Sequence, residues 1–189
     1  MAKKYIGIII FLCLLNAALY SRENSAEIDF GHRMTIGAYY SYTDDNIGIM
    51  EPRYDFIVNF PYIAPDYNLF DFGIGLGVIM AFDGKNNVRL PTFGFTVNGN
   101  MRIYAPSINR TRFFTEGGMS FVFFTRNYPE NGTKLNGALH AGGGIEHKLE
   151  DSTRIFATMD WFHISNNDVY GRERNPGINA IGMRFGIQQ

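Results

Sequence analysis

Residues 69–82 alternate large apolar side chains with small or acidic ones, and this pattern restricts the fold more than any other feature of the sequence. Consecutive residues of a β-strand project from opposite faces, so the run predicts a strand with one apolar face and one face of small residues. The apolar face holds Phe70, Phe72, Ile74, Leu76, Val78, Met80 and Phe82. Ile79 is the exception on the other face. Small residues opposite an apolar row are typical of a narrow membrane barrel, whose exterior contacts lipid.

Seven further runs show the same alternation, and no segment after the N-terminal region keeps a helical period. These runs are residues 28–42, 54–60, 92–104, 112–125, 135–149, 154–165 and 178–187. Together with 69–82 they make eight strands, which is the size of the smallest bacterial outer-membrane barrels. The sequence therefore predicts an all-β fold: a single eight-stranded antiparallel transmembrane β-barrel of the outer membrane over residues 22–189.

Charged residues fall on the inward faces of these strands. They are Arg33, Asp71, Arg102, Glu116, Glu146, Asp160 and Arg184. An isolated charge in a barrel interior is costly, so we expect these side chains to pair with one another. The alternative is a soluble sheet with solvent-facing charges, but one small domain would then have to bury many rows of Phe, Ile and Met.

The N-terminus resembles a secretory signal peptide over residues 1–21. Lys3 and Lys4 precede an apolar run, and small and polar residues follow it. A retained membrane anchor is the alternative, but the run is shorter than the roughly 20 residues of a spanning helix and Asn16 interrupts it. We expect cleavage near Ser21, which places the mature chain outside the cytoplasm.

Composition excludes several other classes of function. The net charge of −1 lacks the basic stripe that a nucleic-acid partner requires. Cys13 is the only cysteine and lies inside the apolar run, so the mature chain forms no disulfide. The sequence also predicts no metal site and no cofactor.

His163 and Ser165 form the most chemically suggestive pair in the sequence. They lie two residues apart, so on a strand they share a face, with Cα atoms about 6.5 Å apart. They continue the outward row of residues 154–165 and therefore face lipid, where polar groups are expensive. In a barrel with periplasmic termini the seventh strand runs outward, which places the pair near the extracellular leaflet. A histidine base beside a serine nucleophile supports acyl transfer, and the local substrate is a lipid ester.

Asn179 lies on the outward row of the last strand, beside the same pair. One register opposes Asn179 to His163 and also continues an apolar ladder below them. That ladder opposes Ile181 to Trp161, Met183 to Met159 and Ile187 to Ile155. Directly opposed side chains are within hydrogen-bonding reach, so Asn179 is predicted to orient His163.

The motifs H-I-S-N at residues 163–166 and N-P-G-I-N at residues 175–179 resemble the lipid A 3-O-deacylase (PagL) family of outer-membrane barrels. The resemblance implies a hydrolase in which Ser165 attacks an ester of lipid A and His163 acts as base. It also implies an oxyanion hole from Asn166 and the backbone around Asn167.

The family pattern has an acid where this sequence has Asn179. Replacing the acid of a serine triad by its amide costs up to ~10⁴ in rate, although an amide oxygen still holds the useful histidine tautomer. Other carboxylates do not fit the position by pattern: Asp160 points inward, and Asp168 and Glu173 lie in a loop.

Two questions stay open at the level of sequence. A non-enzymatic barrel that anchors or binds a partner would explain the strand pattern, with His163 and Ser165 as interfacial polar residues and Trp161 as part of an aromatic girdle. The pattern also leaves open whether two barrels form a homodimer. For the enzyme, the expected partners are lipopolysaccharide as substrate and the surrounding outer-membrane lipid.

Overall fold

A computed structural model describes residues 29–43, 47–61, 68–83, 91–129, 131–149 and 152–189. The predicted signal peptide lies outside the described residues. The strands are β1 (Asp29–Ser41), β2 (Ile47–Pro61), β3 (Asn68–Asp83), β4 (Thr92–Tyr104), β5 (Thr111–Tyr128), β6 (Thr133–Lys148), β7 (Arg154–Ser165) and β8 (Ile178–Gln188). A short 3-10 turn, Arg172–Arg174, lies between β7 and β8. Within the described ranges, no helix is long and apolar enough to cross a membrane.

The eight strands form one closed barrel. Each strand pairs antiparallel with its neighbour in sequence, and β8 pairs with β1 to complete the circle. The predicted fold is therefore confirmed. Closure leaves no strand edge unpaired, which is the condition for spanning a bilayer with β-strands. We call the end of the barrel where β1–β2, β3–β4, β5–β6 and β7–β8 are connected the loop end.

The outer surface carries the apolar rows that the alternation predicts. Phe30 is 75% exposed and Met159 is 69% exposed, values that are typical of a wall in contact with lipid and not of a soluble core. Other large exposed side chains are Phe56, Ile74, Leu76, Phe95, Phe113, Met119, Phe121, Ile181 and Phe185.

Glu116 lies at the centre of the charges inside the barrel. Its carboxylate oxygens are 2.6 Å from Arg102, 2.7 Å from Arg184 and 3.3 Å from Arg33. His140 Nε2 is 3.3 Å from the same carboxylate. Arg53 lies 3.7 Å from this carboxylate as well, so five groups with N–H donors surround one buried acid.

The other charges that the sequence placed inside pair around this centre. Arg33 lies 2.7 Å from Asp71, Arg184 lies 3.1 Å from Asp160, and Arg102 lies 3.4 Å from Glu146. All seven side chains are buried, so their predicted pairing is confirmed. Arg53, which the sequence did not single out, joins the network through Asp55 at 3.2 Å.

The interior near the loop end is apolar, and this differs from the pattern read in the sequence. The buried cluster there includes Tyr39, Ile47, Ile49, Ile79, Val122, Phe124, Phe162, Ile164 and Ile178.

Strand β2 was predicted to begin at residue 54, but it begins at Ile47. The reason is that Ile47 and Ile49 point inward, so the start of β2 does not show an apolar outer row. Strands β4 and β7 have the predicted bounds.

Candidate active site

His163 and Ser165 lie at the end of β7, and Asn179 is the second residue of β8. All three side chains are half-buried and belong to the outward rows. The predicted register is present: His163 opposes Asn179, and below them Trp161 opposes Ile181. The ladder continues with Met159 opposite Met183 and Ile155 opposite Ile187.

The imidazole of His163 is hydrogen-bonded to the amide of Asn179. The distance from His163 Nδ1 to Asn179 Oδ1 is 2.9 Å. An amide oxygen only accepts hydrogen bonds, so Nδ1 is the donor, and in the neutral ring Nε2 then keeps its lone pair. A neutral histidine in this tautomer is a proton acceptor at Nε2, as a general base must be.

The end of β1 holds Asn179 across the seam where the barrel closes. The Asn179 backbone N–H donates to Thr43 Oγ1 at 2.9 Å, and the Tyr42 N–H donates to the Asn179 carbonyl oxygen at 3.1 Å. These contacts join residues that are far apart in sequence, so the alternation within one strand gave no sign of them. They fix the backbone from which the Asn179 amide reaches His163.

Trp161 lies against the imidazole of His163. The two rings are nearly parallel, with an interplanar angle of 11° and centroids 5.7 Å apart. The indole Nε1–H donates to the hydroxyl of Tyr42 at 3.0 Å. The sequence pattern predicted Trp161 to be a girdle residue. Its spacing of two from His163 on one strand was the signal for this contact.

The loop after Ser165 is held by the side chain of Asn166. The Asn166 amide donates to the Arg174 carbonyl oxygen at 2.7 Å and to Thr133 Oγ1 at 3.2 Å. The Asn166 backbone N–H donates to Asn175 Oδ1 at 2.9 Å. The donors of Asn166 are therefore engaged within the protein, and Asn175, which the sequence analysis treated only as part of a motif, has a specific partner.

Asn167 follows with a left-handed backbone, at φ 52°. The next residue, Asp168, accepts a hydrogen bond from Asn175 Nδ2 at 2.8 Å. Asp160 is paired with Arg184 in the lumen. Neither of these carboxylates is joined to His163 by a hydrogen bond or ion pair.

An apolar groove leads away from His163 and Ser165 along the outer wall. Its volume is about 360 Å³. The walls come from β5, β6 and the loop after β7, and they include Met119, Phe121, Leu135, Leu139, Val169 and Tyr170, with Asn166 and Asn167 at the polar end. A groove of this character accepts a flexible hydrocarbon chain with its polar end at the serine.

Metal-binding residues do not cluster at the site. Over the described part of the chain, no group of three or more His, Cys, Asp or Glu side chains is placed to hold a metal ion.

Similar structures share the barrel at low sequence identity. The crystal structure of Neisserial surface protein A (NspA) matches with a TM-score of 0.58 and 8% identity, covering 84% of this chain and 94% of that one. The crystal structure of the outer membrane enzyme PagL matches with a TM-score of 0.57 and 11% identity, covering 82% of this chain and 97% of that one. At these identities both matches show the fold alone.

Sequence comparison with protein families is more specific. A comparison with curated proteins finds no significant match. The family model described as lipid A 3-O-deacylase (PagL) matches residues 92–188, just over half of the chain. The matched segment runs from β4 to the end of β8 and contains His163, Ser165 and Asn179. The chain therefore belongs to the lipid A 3-O-deacylase (PagL) family.

Proposed function

We propose that this protein is an outer-membrane serine esterase that removes an ester-linked acyl chain from lipid A of lipopolysaccharide. The observation that carries the proposal is the hydrogen bond from His163 Nδ1 to Asn179 Oδ1, 2.9 Å long, beside Ser165 at the end of an apolar groove. Membership of the PagL family gives the substrate class. Polar side chains are costly on an apolar outer wall, so their presence there supports a catalytic role.

The proposed reaction has two steps. In the first, Ser165 Oγ attacks the ester carbonyl carbon while its proton passes to His163 Nε2. The carbonyl reforms as the bond to the sugar oxygen breaks, and His163 returns the proton to that oxygen. In the second, water attacks the acyl-serine with the same base, which releases the fatty acid and restores the serine hydroxyl. The role of Asn179 is to hold Nδ1–H, so that Nε2 keeps the lone pair that takes the serine proton.

The oxyanion hole is assigned to Asn166 and Asn167. A developing negative oxygen needs donors that are fixed before the reaction. Asn167 lines the groove directly after Asn166, and its backbone N–H is the proposed first donor. The Asn166 amide contributes when it exchanges one of its hydrogen bonds, to Thr133 or Arg174, for the substrate oxygen.

The proposed location of the site is the lipid-facing wall near the extracellular leaflet of the outer membrane. Substrate then reaches Ser165 by lateral diffusion, since the groove opens on the wall and not into the lumen. The lumen is filled by the charge network around Glu116 and by the apolar cluster at the loop end. The catalytic roles therefore fall on residues that lipid can touch.

Mass spectrometry of lipid A tests this function. Cells that express the wild-type chain should lose one acyl chain from lipid A relative to cells without the gene. Cells that express Ser165→Ala should retain it, while heat-modifiable gel migration shows that the variant barrel is folded. An unchanged lipid A profile in wild-type cells, with folded protein in the outer membrane, would refute the proposal and favour a barrel that only anchors or binds.

A further inference from the structure

Among the described residues, the base of the proposed reaction is paired with an amide and not with an acid. Leu139 opposes His163 on β6, and Asn179 opposes it on β8. In the part of the chain that the structure describes, no hydrogen bond or ion pair joins a carboxylate to His163. When the imidazole takes the serine proton it becomes a cation, and in a serine triad the acid stabilises that cation.

The partners of Trp161 that the structure describes on the neighbouring strands are uncharged. Ala141 opposes it on β6 and Ile181 opposes it on β8, while β1 contributes the neutral hydroxyl of Tyr42. The indole is the aromatic ring that stacks on the imidazole. The two rings are stacked, with planes that differ by 11°, and the indole N–H edge is directed to Tyr42.

A cation near the face of an aromatic ring is attracted by the negative charge on that face. The effect is strongest for tryptophan and operates within about 6 Å of the ring centroid. The centroid separation of 5.7 Å between Trp161 and His163 meets this condition. The attraction is also stronger where water is excluded, as on a barrel wall that lipid covers.

We propose that Trp161 is a positioning residue that stabilises the protonated form of His163 during acyl transfer, in the place where the family pattern has an acid. The inference rests on the proposed function for its catalytic consequence. Tyr42 supports the arrangement by accepting the indole N–H, which fixes the ring in the plane that faces the imidazole. A girdle tryptophan would instead need only a position at the membrane boundary.

Substitutions at Trp161 distinguish the electrostatic role from the girdle role, because the two roles predict changes in different kinetic constants. Trp161→Leu should lower kcat about tenfold with KM unchanged, because the face interaction is made with the cation and not with the neutral ground state. Trp161→Phe keeps a weaker aromatic face and should lose about threefold. A purely apolar or girdle role predicts equal rates for Leu and Phe, or a change confined to KM, and either result would overturn the proposal.

The same substitution in an Asn179→Glu background gives the sharpest test. A carboxylate at position 179 supplies the missing charge, so the loss caused by Trp161→Leu should shrink from about tenfold to less than threefold. If Trp161 only shapes the barrel wall, the loss should be the same in both backgrounds. Equal losses would therefore reject the electrostatic role.

Fluorescence tests the contact without any need for activity. Trp161 is the only tryptophan in the sequence, so the emission of the folded protein in detergent comes from this one ring. Protonated imidazole quenches indole emission more strongly than neutral imidazole, so acidification should dim the wild type and leave His163→Gln nearly unchanged. The same pH response in both proteins would overturn the contact. A protein that shows the histidine-dependent response but leaves lipid A intact would instead refute the proposed function.

Discussion

His140 and His163 lie close together on paired strands but face opposite sides of the barrel wall. In the β6–β7 register, His163 opposes Leu139, the residue next to His140. His140 points into the lumen, where its Nε2 is 3.3 Å from the carboxylate of Glu116. His163 points to the lipid side, where its Nδ1 is 2.9 Å from the amide oxygen of Asn179. The lumen histidine has an anionic neighbour, and the wall histidine has a neutral one.

The comparison separates polar groups that are explained by their contribution to stability from those that are not. In the lumen, each buried charge stabilises its neighbours, and the network needs no ligand to account for it. On the wall, an apolar residue would suit the lipid better than histidine, serine or asparagine. The hydrogen bond between His163 and Asn179 reduces the cost of their polarity but does not explain their presence, so a catalytic role is the stronger explanation.

The largest expected effect is on the wall histidine. His163→Ala removes the base and should reduce deacylation by on the order of 10⁴-fold or more, with the barrel still folded. His140→Ala, the matched change on the other face, should keep more than half of the activity per folded molecule. Both rates are measured by mass spectrometry on lipid A in detergent. Loss of deacylation in His140→Ala, with normal deacylation in His163→Ala, would place the catalytic histidine in the lumen and not on the outer wall.

The next effect is on the lumen and concerns stability. Glu116→Gln removes the charge that four arginines share and should lower the free energy of unfolding by about 3–5 kcal/mol. Glu173→Gln, the same change at an exposed position in the turn, should change it by less than about 0.5 kcal/mol. Unfolding by urea in detergent micelles measures both. Equal stabilities of the two variants would mean that the lumen network does not stabilise the fold.

The third expected effect concerns Asn179, the uncharged hydrogen-bond partner of His163. Asn179→Ala leaves His163 without an acceptor for Nδ1–H and should cost about 10²-fold in rate, the scale of a misplaced catalytic group. Asn179→Glu supplies an acceptor with a charge and should raise the rate at least tenfold, within the ~10⁴ that separates acid from amide in serine triads. The deacylation rate per folded molecule is measured for both variants and for the wild type. An Asn179→Ala protein as active as wild type would remove Asn179 from the mechanism.

The sequence predicted those features that depend on the alternation within a strand. It assigned the inner and outer faces, the bounds of β4 and β7, and the seven lumen charges. It also predicted the β7–β8 register, because one slip would have turned the apolar ladder below His163 into the lumen. The hydrogen bond from His163 to Asn179 followed from that register.

Other features depend on contacts between distant strands, and the sequence did not predict them. The inward Ile47 and Ile49 pack in the apolar cluster at the loop end, so they follow the lumen and not the outer row. The contacts of Trp161 with Tyr42 and of Asn179 with Thr43 exist because β8 closes on β1. A period read along one strand contains no information about which side chains meet at that seam.

The smallest expected effect is at Thr43, on the closing seam. Its hydroxyl accepts the backbone N–H of Asn179 at 2.9 Å, while the neighbouring bond from the Tyr42 N–H holds the same residue from the other side. Thr43→Val keeps the shape and removes the acceptor, and one hydrogen bond contributes about 0.5–1.5 kcal/mol. Because Thr43 is exposed and water can replace its hydroxyl, we expect only about a two- to fivefold loss of kcat. Thr43→Ser should behave as wild type, since it retains the oxygen. If Val and Ser reduce the rate equally, the methyl group and not the hydroxyl supports Asn179, and the seam would act through packing alone.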